Sequence, residues 1–255
     1  MKLTLVVPTF NEGENVTVLT STVLAALDNA KEQDYEILFV DDSSDNTPQI
    51  LGRLSRENPK VRFIHRDNER GLGTAIVTGF HAARGEVLAV MDGDLQHPPS
   101  LLPSMLQLMA LGYDLVIPSR FIPGGSDGGL SLPRKIVSFT ARYLAKILLR
   151  RVRGISDPTG GFFMFRREVI ANIRFDAGSW KILIEILVRG RYARIAEIPY
   201  GFRARDLGTS KLSASAQIDY VRHLFTLFFQ QNDPLPDPGK NGPAPPPARI
   251  DRIPG

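Results

Sequence analysis

The stretch MDGDLQHPP, residues 91–99, sets two carboxylates one residue apart, with an amide at Gln96 and an imidazole at His97 close behind. Asp92 and Asp94 are hard oxygen donors, and Gln96 adds a neutral one. A divalent cation that bridges a diphosphate needs few protein ligands, because phosphate oxygens and water complete its octahedron. Gly93, between the acids, permits a sharp break in the chain and a close ligand approach. The same residues also fit a plain polar strand end, with Pro98 and Pro99 opening a helix. An aspartyl nucleophile is disfavoured: such a pair is expected near the N-terminus with Thr or Val after it, and here Leu95-Gln96 follow at mid-chain. His97 and His65 are tempting as chemical groups, but a lone histidine more often serves structure, and neither is assigned a role.

Two further acidic stretches stand in similar positions. VDDSSDNT (40–47) offers Asp41 and Asp42, which can accept from the N–H edge of a base or from ribose hydroxyls; Ser44 or Asp45 can cap a following helix. VVPTFNEGENV (6–16) carries Glu12, with Pro8 and Phe10 as walls for a nucleobase, although a helix start explains it equally well. NERGLGTAIVTGF (68–80) has glycines at 71, 73 and 79, which is not the spacing of a dinucleotide site. Between Asp127 and Asp157 there is no acidic residue, while Arg134, Lys135, Arg142, Lys146, Arg150, Arg151 and Arg153 all fall there. So one-sided a stretch suits an anionic partner: nucleic acid, a phosphorylated substrate or a membrane surface.

The elements that must position these residues are legible from apolar runs. Strands are expected at 2–8, 35–41, 61–65, 86–92 and 114–119, with amphipathic helices at about 14–29, 46–57, 73–84 and 99–111. Strands alternating with helices of this length argue for a mainly parallel α/β sheet, whose ligands bind beyond the carboxyl ends of the strands. The three acidic stretches all lie at such ends. The second half changes character. GGSDGG (124–129) reads as a loop, 131–153 as a basic amphipathic segment, 178–189 as a helix and 193–199 as a strand. A basic loop, YGFRARDLGTSKLS (200–213), and an aromatic-rich helix to about 230 follow. The Pro/Gly-rich remainder, 231–255, is expected to be disordered.

The chain has 255 residues, 43% hydrophobic and 23% charged, with formal net charge +4. That is enough to bury a full core. The absence of cysteine excludes disulfides, thiolate zinc sites and cysteine nucleophiles. The apolar start of MKLTLVVPTF ends at Pro8 and is too short for a signal-peptide core. No segment approaches the roughly 20 apolar residues that span a bilayer.

Taken in order, VVPTFNE, VDDSSDNT, RGLGTA, MDGDLQHPP, SR at 119–120, DPTGGF and GTSKL resemble the family 2 inverting glycosyltransferases, most closely the dolichyl- or polyprenyl-phosphate mannose synthases. The resemblance covers about residues 3–230. It implies a GT-A fold (a Rossmann-like, mainly parallel sheet flanked by helices), a nucleotide-sugar donor and a Mg²⁺ or Mn²⁺ ion. It places Pro8, Phe10, Glu12 and Asp42 around the nucleoside, with Asp92, Asp94 and Gln96 on the metal. Arg120, Arg134 and Ser138 would take the acceptor phosphate, and Arg205 and Lys211 would close over the donor diphosphate. Asp94, Arg205 and Lys211 would then carry the catalysis.

The expected reaction is inverting transfer of one mannose from GDP-mannose to a polyprenyl phosphate. The rivals are a UDP-linked glucose or aminosugar donor, and a silent nucleotide-sugar binding module. A nucleic-acid partner is disfavoured, because stacking aromatics are scarce in the basic stretch. The helices at about 131–153 and 213–230 would lie on an anionic membrane surface, at its cytoplasmic face. Gly160 and Phe163 depart from the serine and basic residue usual in relatives. The Gln-x-x-Arg-Trp signature of processive synthases is absent, which favours a single transfer. Many relatives continue into transmembrane helices; a chain ending in a Pro-rich tail works peripherally, relies on a transmembrane partner protein, or lacks part of its natural length.

Overall fold

The computed structural model describes residues 2–67, 69–128, 132–176, 181–202, 214–230 and 248–254, with the side chains of 132–134 and 214–217 outside that description. The described elements, in chain order, are β1 (Leu3–Thr9), α1 (Val16–Asn29), β2 (Tyr35–Asp41), α2 (Thr47–Glu57), β3 (Val61–His65), α3 (Leu72–Ala82), β4 (Val87–Val90), α4 (Leu102–Ala110), β5 (Leu115–Ser119), α5 (Leu132–Leu148), β6 (Phe163–Arg166), α6 (Ile182–Arg189), β7 (Arg194–Pro199), α7 (Ala214–Gln230) and β8 (Arg249–Arg252). The strands form one sheet in the order β3-β2-β1-β4-β6-β5-β7-β8. Only β6 runs against its neighbours, β4 and β5.

The burial pattern of β1 explains the layering. Val6, Leu38, Val40, Leu88 and Val90 enter one core with residues of α3, α6 and α7. Their alternates, Leu5, Val7, Ile37, Phe39 and Ala89, enter a second core with α1, α2 and α4. Strands covered on both faces show no polar alternation, which is why their sequences read as continuous apolar runs. Gly79 lets α3 settle onto β1 and β2: a Cβ there would stand 2.3 Å from Val6 Cγ1. The start of α2 is fixed by Asp45, whose Oδ1 accepts from the Thr47 N–H at 2.9 Å, with Pro48 in the first turn.

Two features differ from expectation. The stretch Phe163–Arg166 is the antiparallel strand β6, inserted between β4 and β5; four residues are too few for periodicity to declare a strand. The expectation of disorder throughout 231–255 fails at its end. β8 pairs in parallel with β7, with Glu197 opposite Arg252, and Tyr113 donates its hydroxyl proton to Asp251 at 2.8 Å. A parallel edge with open N–H and C=O groups is a template that even a polar segment can complete. Residues 231–247 lie outside the described residues. Among the described residues, no helix is long and apolar enough to cross a membrane.

Candidate active site

The parallel strands end level with one another. Thr9, at the end of β1, pairs with Asp41 at the end of β2, and Val6 pairs with Val90, two residues before Asp92. The turns after β1 and β4 each hold a residue in the left-handed region, Asn11 at φ 54 and Leu95 at φ 62. Such residues cost about 1–3 kcal/mol and persist where their surroundings over-determine them. Asn11 accepts from the Ser44 N–H at 3.0 Å and donates its own N–H to Ser43 Oγ at 2.7 Å. Leu95 packs against the second core, and Asp94 Oδ1 accepts from the Gln96 N–H at 3.2 Å.

These two turns touch. A Cβ on Gly93 would stand 3.2 Å from Thr9 Cγ2 and 3.7 Å from Glu12 Cγ. Pro8, Glu12, Asp92 and Asp94 are therefore neighbours in one wall. Phe10 lies beside them, with the guanidinium of Arg70 5.7 Å from its ring centre. Glu12 accepts from Asn15 Nδ2 at 2.7 Å, and its N–H donates to Thr47 Oγ1, tying this turn to α2. Asp42 has a supporting job visible in its bonds. Its oxygens take Arg66 in a fork at 2.7 and 2.6 Å and accept from the Gly71 N–H at 3.0 Å, which holds the RGLG loop to the strand ends. Asp41, fully buried, accepts from Thr9 and from His65 at 2.7 Å, so His65 is spent on structure.

The facing wall comes from segment 157–162 and the end of β5. Gly161 packs under Asp92 so tightly that a Cβ would stand 2.5 Å from Asp92 Oδ2. Asp157, fully buried, takes Arg120 in a bidentate pair at 2.7 and 3.0 Å. Arg120 also lies over the rings of Phe121 and Phe202. Lys181, just before α6, donates to the Thr159 carbonyl at 2.8 Å. Burial pushes its ammonium down to about 8, against the fields of Asp92 and Asp157, which favour the charge. Behind the acids, His97 sits among Phe162, Tyr200 and Phe202, and burial pushes its imidazole down to about 4, so it is neutral at pH 7.

A metal is implied by the acid pair, and the residues present fit one. The carboxylates of Asp92 and Asp94, with the amide oxygen that Gln96 could add, are oxygen donors, the chemistry Mg²⁺ and Mn²⁺ accept. Asp92 keeps 36% of its side chain exposed, open to a ligand. Among the described residues, no three His, Asp or Glu gather into an all-protein cage.

Of the other expected positions, Ser138 lies on α5 beside a concavity of about 350 Å³ lined by Phe121, Asp127, Lys135, Ile136 and Phe139. Arg134 falls one turn earlier on α5, with its side chain outside the described part. Arg205 and Lys211 lie outside the described residues. Sequence reasoning missed the roles of Asp157 and Lys181. Asp157 stood in the DPTGGF motif without a partner named, whereas nothing local marked Lys181, whose neighbours here come from distant segments.

Comparison with known proteins agrees with this geometry. The model of the family described as glycosyl transferase family 2 matches residues 4–174, more than half of the chain. A dolichol-phosphate mannosyltransferase of Pyrococcus furiosus is 39% identical over 228 residues, covering 89% of this chain and 64% of that protein, so the chain spans just under two thirds of this relative's length. The Saccharomyces cerevisiae protein of the same name is 32% identical over 89% of this chain and 87% of its own length. In fold, mannosyl-3-phosphoglycerate synthase from Rubrobacter xylanophilus superposes with TM-score 0.69 at 20% identity, over 94% of this chain and 79% of its own. Glucosyl-3-phosphoglycerate synthase from Mycobacterium tuberculosis, solved with Mn²⁺ and UDP, gives 0.65 at 18%, over 93% and 82%. The sheet order, the level strand ends and these matches agree on a GT-A fold, and the chain belongs to glycosyl transferase family 2.

Proposed function

We propose that this protein transfers one mannose from GDP-mannose to a polyprenyl phosphate, with inversion at the sugar. The observation that carries the reading is what meets at the strand ends: the acid pair packs against the β1 turn at Gly93 and against Gly161 of segment 157–162, whose Asp157 holds Arg120, with Lys181 bonded to Thr159 beside it. The names of the relatives with 39% and 32% identity point to the same reaction class.

Pro8, Phe10 and Glu12 border the nucleoside, and Asp42 acts on it through the loop it anchors. Asp92, Asp94 and Gln96 would hold Mg²⁺ or Mn²⁺. That ion, when bound, supplies Lewis-acid stabilisation of the charge that builds on the departing diphosphate. Arg205 and Lys211 are assigned the complementary cationic role toward the diphosphate. Arg120, with Arg134 and Ser138, takes the acceptor phosphate. A phosphate oxygen of the acceptor forms the new bond to the sugar C1 as the bond from C1 to the GDP oxygen breaks, and GDP leaves with the electron pair. The second ionisation of a phosphate monoester lies near 6, so the attacking oxygen carries no proton at pH 7 and no general base is assigned.

The acceptor's chain accounts for two exposed faces. Ile136, Phe139 and Ile147 of α5 stand exposed, as do Ile218, Phe225 and Phe229 of α7. The helices pack together, with Tyr220 donating its hydroxyl proton to the Ala141 carbonyl at 2.8 Å. With the basic residues of α5 they form an amphipathic surface suited to an anionic bilayer, which supports the proposal of a peripheral protein at the cytoplasmic face, alone or with a transmembrane partner protein. The test is a donor panel. GDP-mannose, UDP-glucose and UDP-N-acetylglucosamine are each supplied with a short polyprenyl phosphate and Mg²⁺ or Mn²⁺, with and without EDTA. A mannolipid formed from GDP-mannose alone and abolished by EDTA is expected. Product from a UDP donor only would replace the donor assignment, and no product from any donor would overturn the enzyme reading.

A further inference from the structure

Glu197, near the end of β7, is fully buried, in a strand already hydrogen-bonded to β5 and β8. An apolar side chain would serve the ladder equally well, and a buried carboxylate is costly unless its oxygens are satisfied. They are satisfied by one short stretch of chain. Glu197 Oε1 accepts from the Ser156 N–H at 2.7 Å and Oε2 from the Ser156 hydroxyl at 2.9 Å. The Asp157 N–H also donates to this carboxylate. Asp157 then takes the Arg120 guanidinium in its bidentate fork.

The segment is gripped from its other side as well. Arg142 donates to the Ser156 carbonyl at 3.3 Å and stacks over Phe121, its guanidinium 3.9 Å from the ring centre. On the outside, β8 sets Arg252 opposite Glu197 with its Nε 3.6 Å from Oε2, and the Ile253 N–H donates to the Glu197 carbonyl at 2.9 Å. A chain of contacts therefore runs from the C-terminal strand to Arg120, just past the end of β5.

We propose that Glu197 is a positioning residue for the acceptor: backed by Arg252 of β8, it fixes the Ser156–Asp157 backbone so that Asp157 aims Arg120 at the acceptor phosphate. This rests on the assignment of Arg120 made under the proposed function. It gives the C-terminal strand a part in acceptor binding. The acid pair meets this segment at Gly161, four residues beyond Asp157, and is also supported from β4 and the β1 turn, so donor binding is expected to change less than acceptor binding.

The experiment measures two affinities on the full chain by calorimetry: citronellyl phosphate, a short isoprenyl phosphate, and GDP with Mn²⁺. Glu197→Ala is expected to weaken citronellyl phosphate by about 10-fold or more while the GDP affinity moves by less than about 2-fold. Glu197→Gln keeps an oxygen for the Ser156 N–H and is expected to recover most of the loss; Arg252→Ala is expected to cost about 3-fold, on the isoprenyl phosphate alone. If Glu197→Ala does not fold, the Gln and Arg252 variants carry the test. Equal weakening of both ligands, or unchanged citronellyl phosphate affinity, overturns the positioning role. A wild-type protein that binds citronellyl phosphate yet transfers no mannose overturns the proposed reaction and leaves the split between variants decisive; one that binds no isoprenyl phosphate overturns both.

Discussion

Gly161→Ala adds a single methyl group, and the structure says where it goes. The new Cβ would stand 2.5 Å from Asp92 Oδ2 and 3.0 Å from its Cγ, while ordinary contact begins at 3.4 Å. The carboxylate must therefore retreat by about 0.9 Å, or the 160–162 backbone must. A displacement of that size at a ligand typically weakens metal affinity about 10- to 100-fold, which is about 1.4 to 2.8 kcal/mol. Gly161 has no positive φ to make alanine strained for another reason. Its neighbour supplies the control: a Cβ on Gly160 would meet the Asp157 carbonyl at 3.6 Å, an ordinary contact. The assay is Mn²⁺ titration in the presence of GDP, following free Mn²⁺ by electron paramagnetic resonance, with a melting curve for each variant. Expected is a folded Gly161→Ala with Mn²⁺ affinity reduced by that factor, and a Gly160→Ala that binds as the wild type does. Equal Mn²⁺ affinity in folded Gly161→Ala and wild type would refute the placement of Asp92 as a ligand braced by this glycine.

Ile147→Asp and Phe229→Asp each put a charge on a strongly exposed apolar position, 67% and 71% accessible; cosedimentation with anionic vesicles should fall about 10-fold or more for each, with melting temperature unchanged, and undiminished cosedimentation would sink the membrane face. Asp42→Ala leaves the buried Arg66 guanidinium without its fork and should cost about 3–5 kcal/mol in urea unfolding, more than Asp42→Ala with Arg66→Met together. At Glu36 burial opposes ionisation, but Arg62, Thr4 and the Arg84 N–H outweigh it and hold the carboxyl below its ordinary 4.5. A depressed carboxyl stabilises the fold above its unfolded value and loses that contribution as pH falls through its folded one. Glu36→Gln should therefore melt lower than wild type at pH 7, with the gap closing as pH falls below the carboxyl's ordinary 4.5; a gap that is constant with pH would contradict the pairing.

The two cores were legible because strands covered on both faces are apolar on both, as Leu5–Pro8 of β1, Ile37–Val40 of β2 and the whole of β4 are. The acidic stretches were legible for the complementary reason: a buried strand that turns abruptly polar is leaving the core, and in a parallel sheet it leaves at the ligand side. What stayed hidden depends on pairing between distant segments. β6 is too short to show a period, and β8 carries little apolar content of its own, because β7 supplies the template. Lys181 carries no local pattern, and its ammonium meets the site only after segment 157–162 has folded against the end of β5. Asp42 read as a ligand from its position before a helix, while its bonds show it first as the anchor of Arg66 and Gly71. The apolar face expected on α5 divides in the structure: Leu144 and Leu148 pack inward, and Ile136, Val137 and Ile147 face out.

The central claim is a single displacement at the sugar C1 by an acceptor phosphate oxygen at the strand ends that carry Asp92 and Arg120. Its most direct measurement is the anomeric configuration of the first product, taken by NMR on the glycolipid formed from GDP-α-mannose, a polyprenyl phosphate and Mn²⁺. The account predicts a β-linked mannosyl phosphate, with a metal requirement that Asp94→Ala raises. An α-linked product, or none with every lipid phosphate supplied, would contradict it.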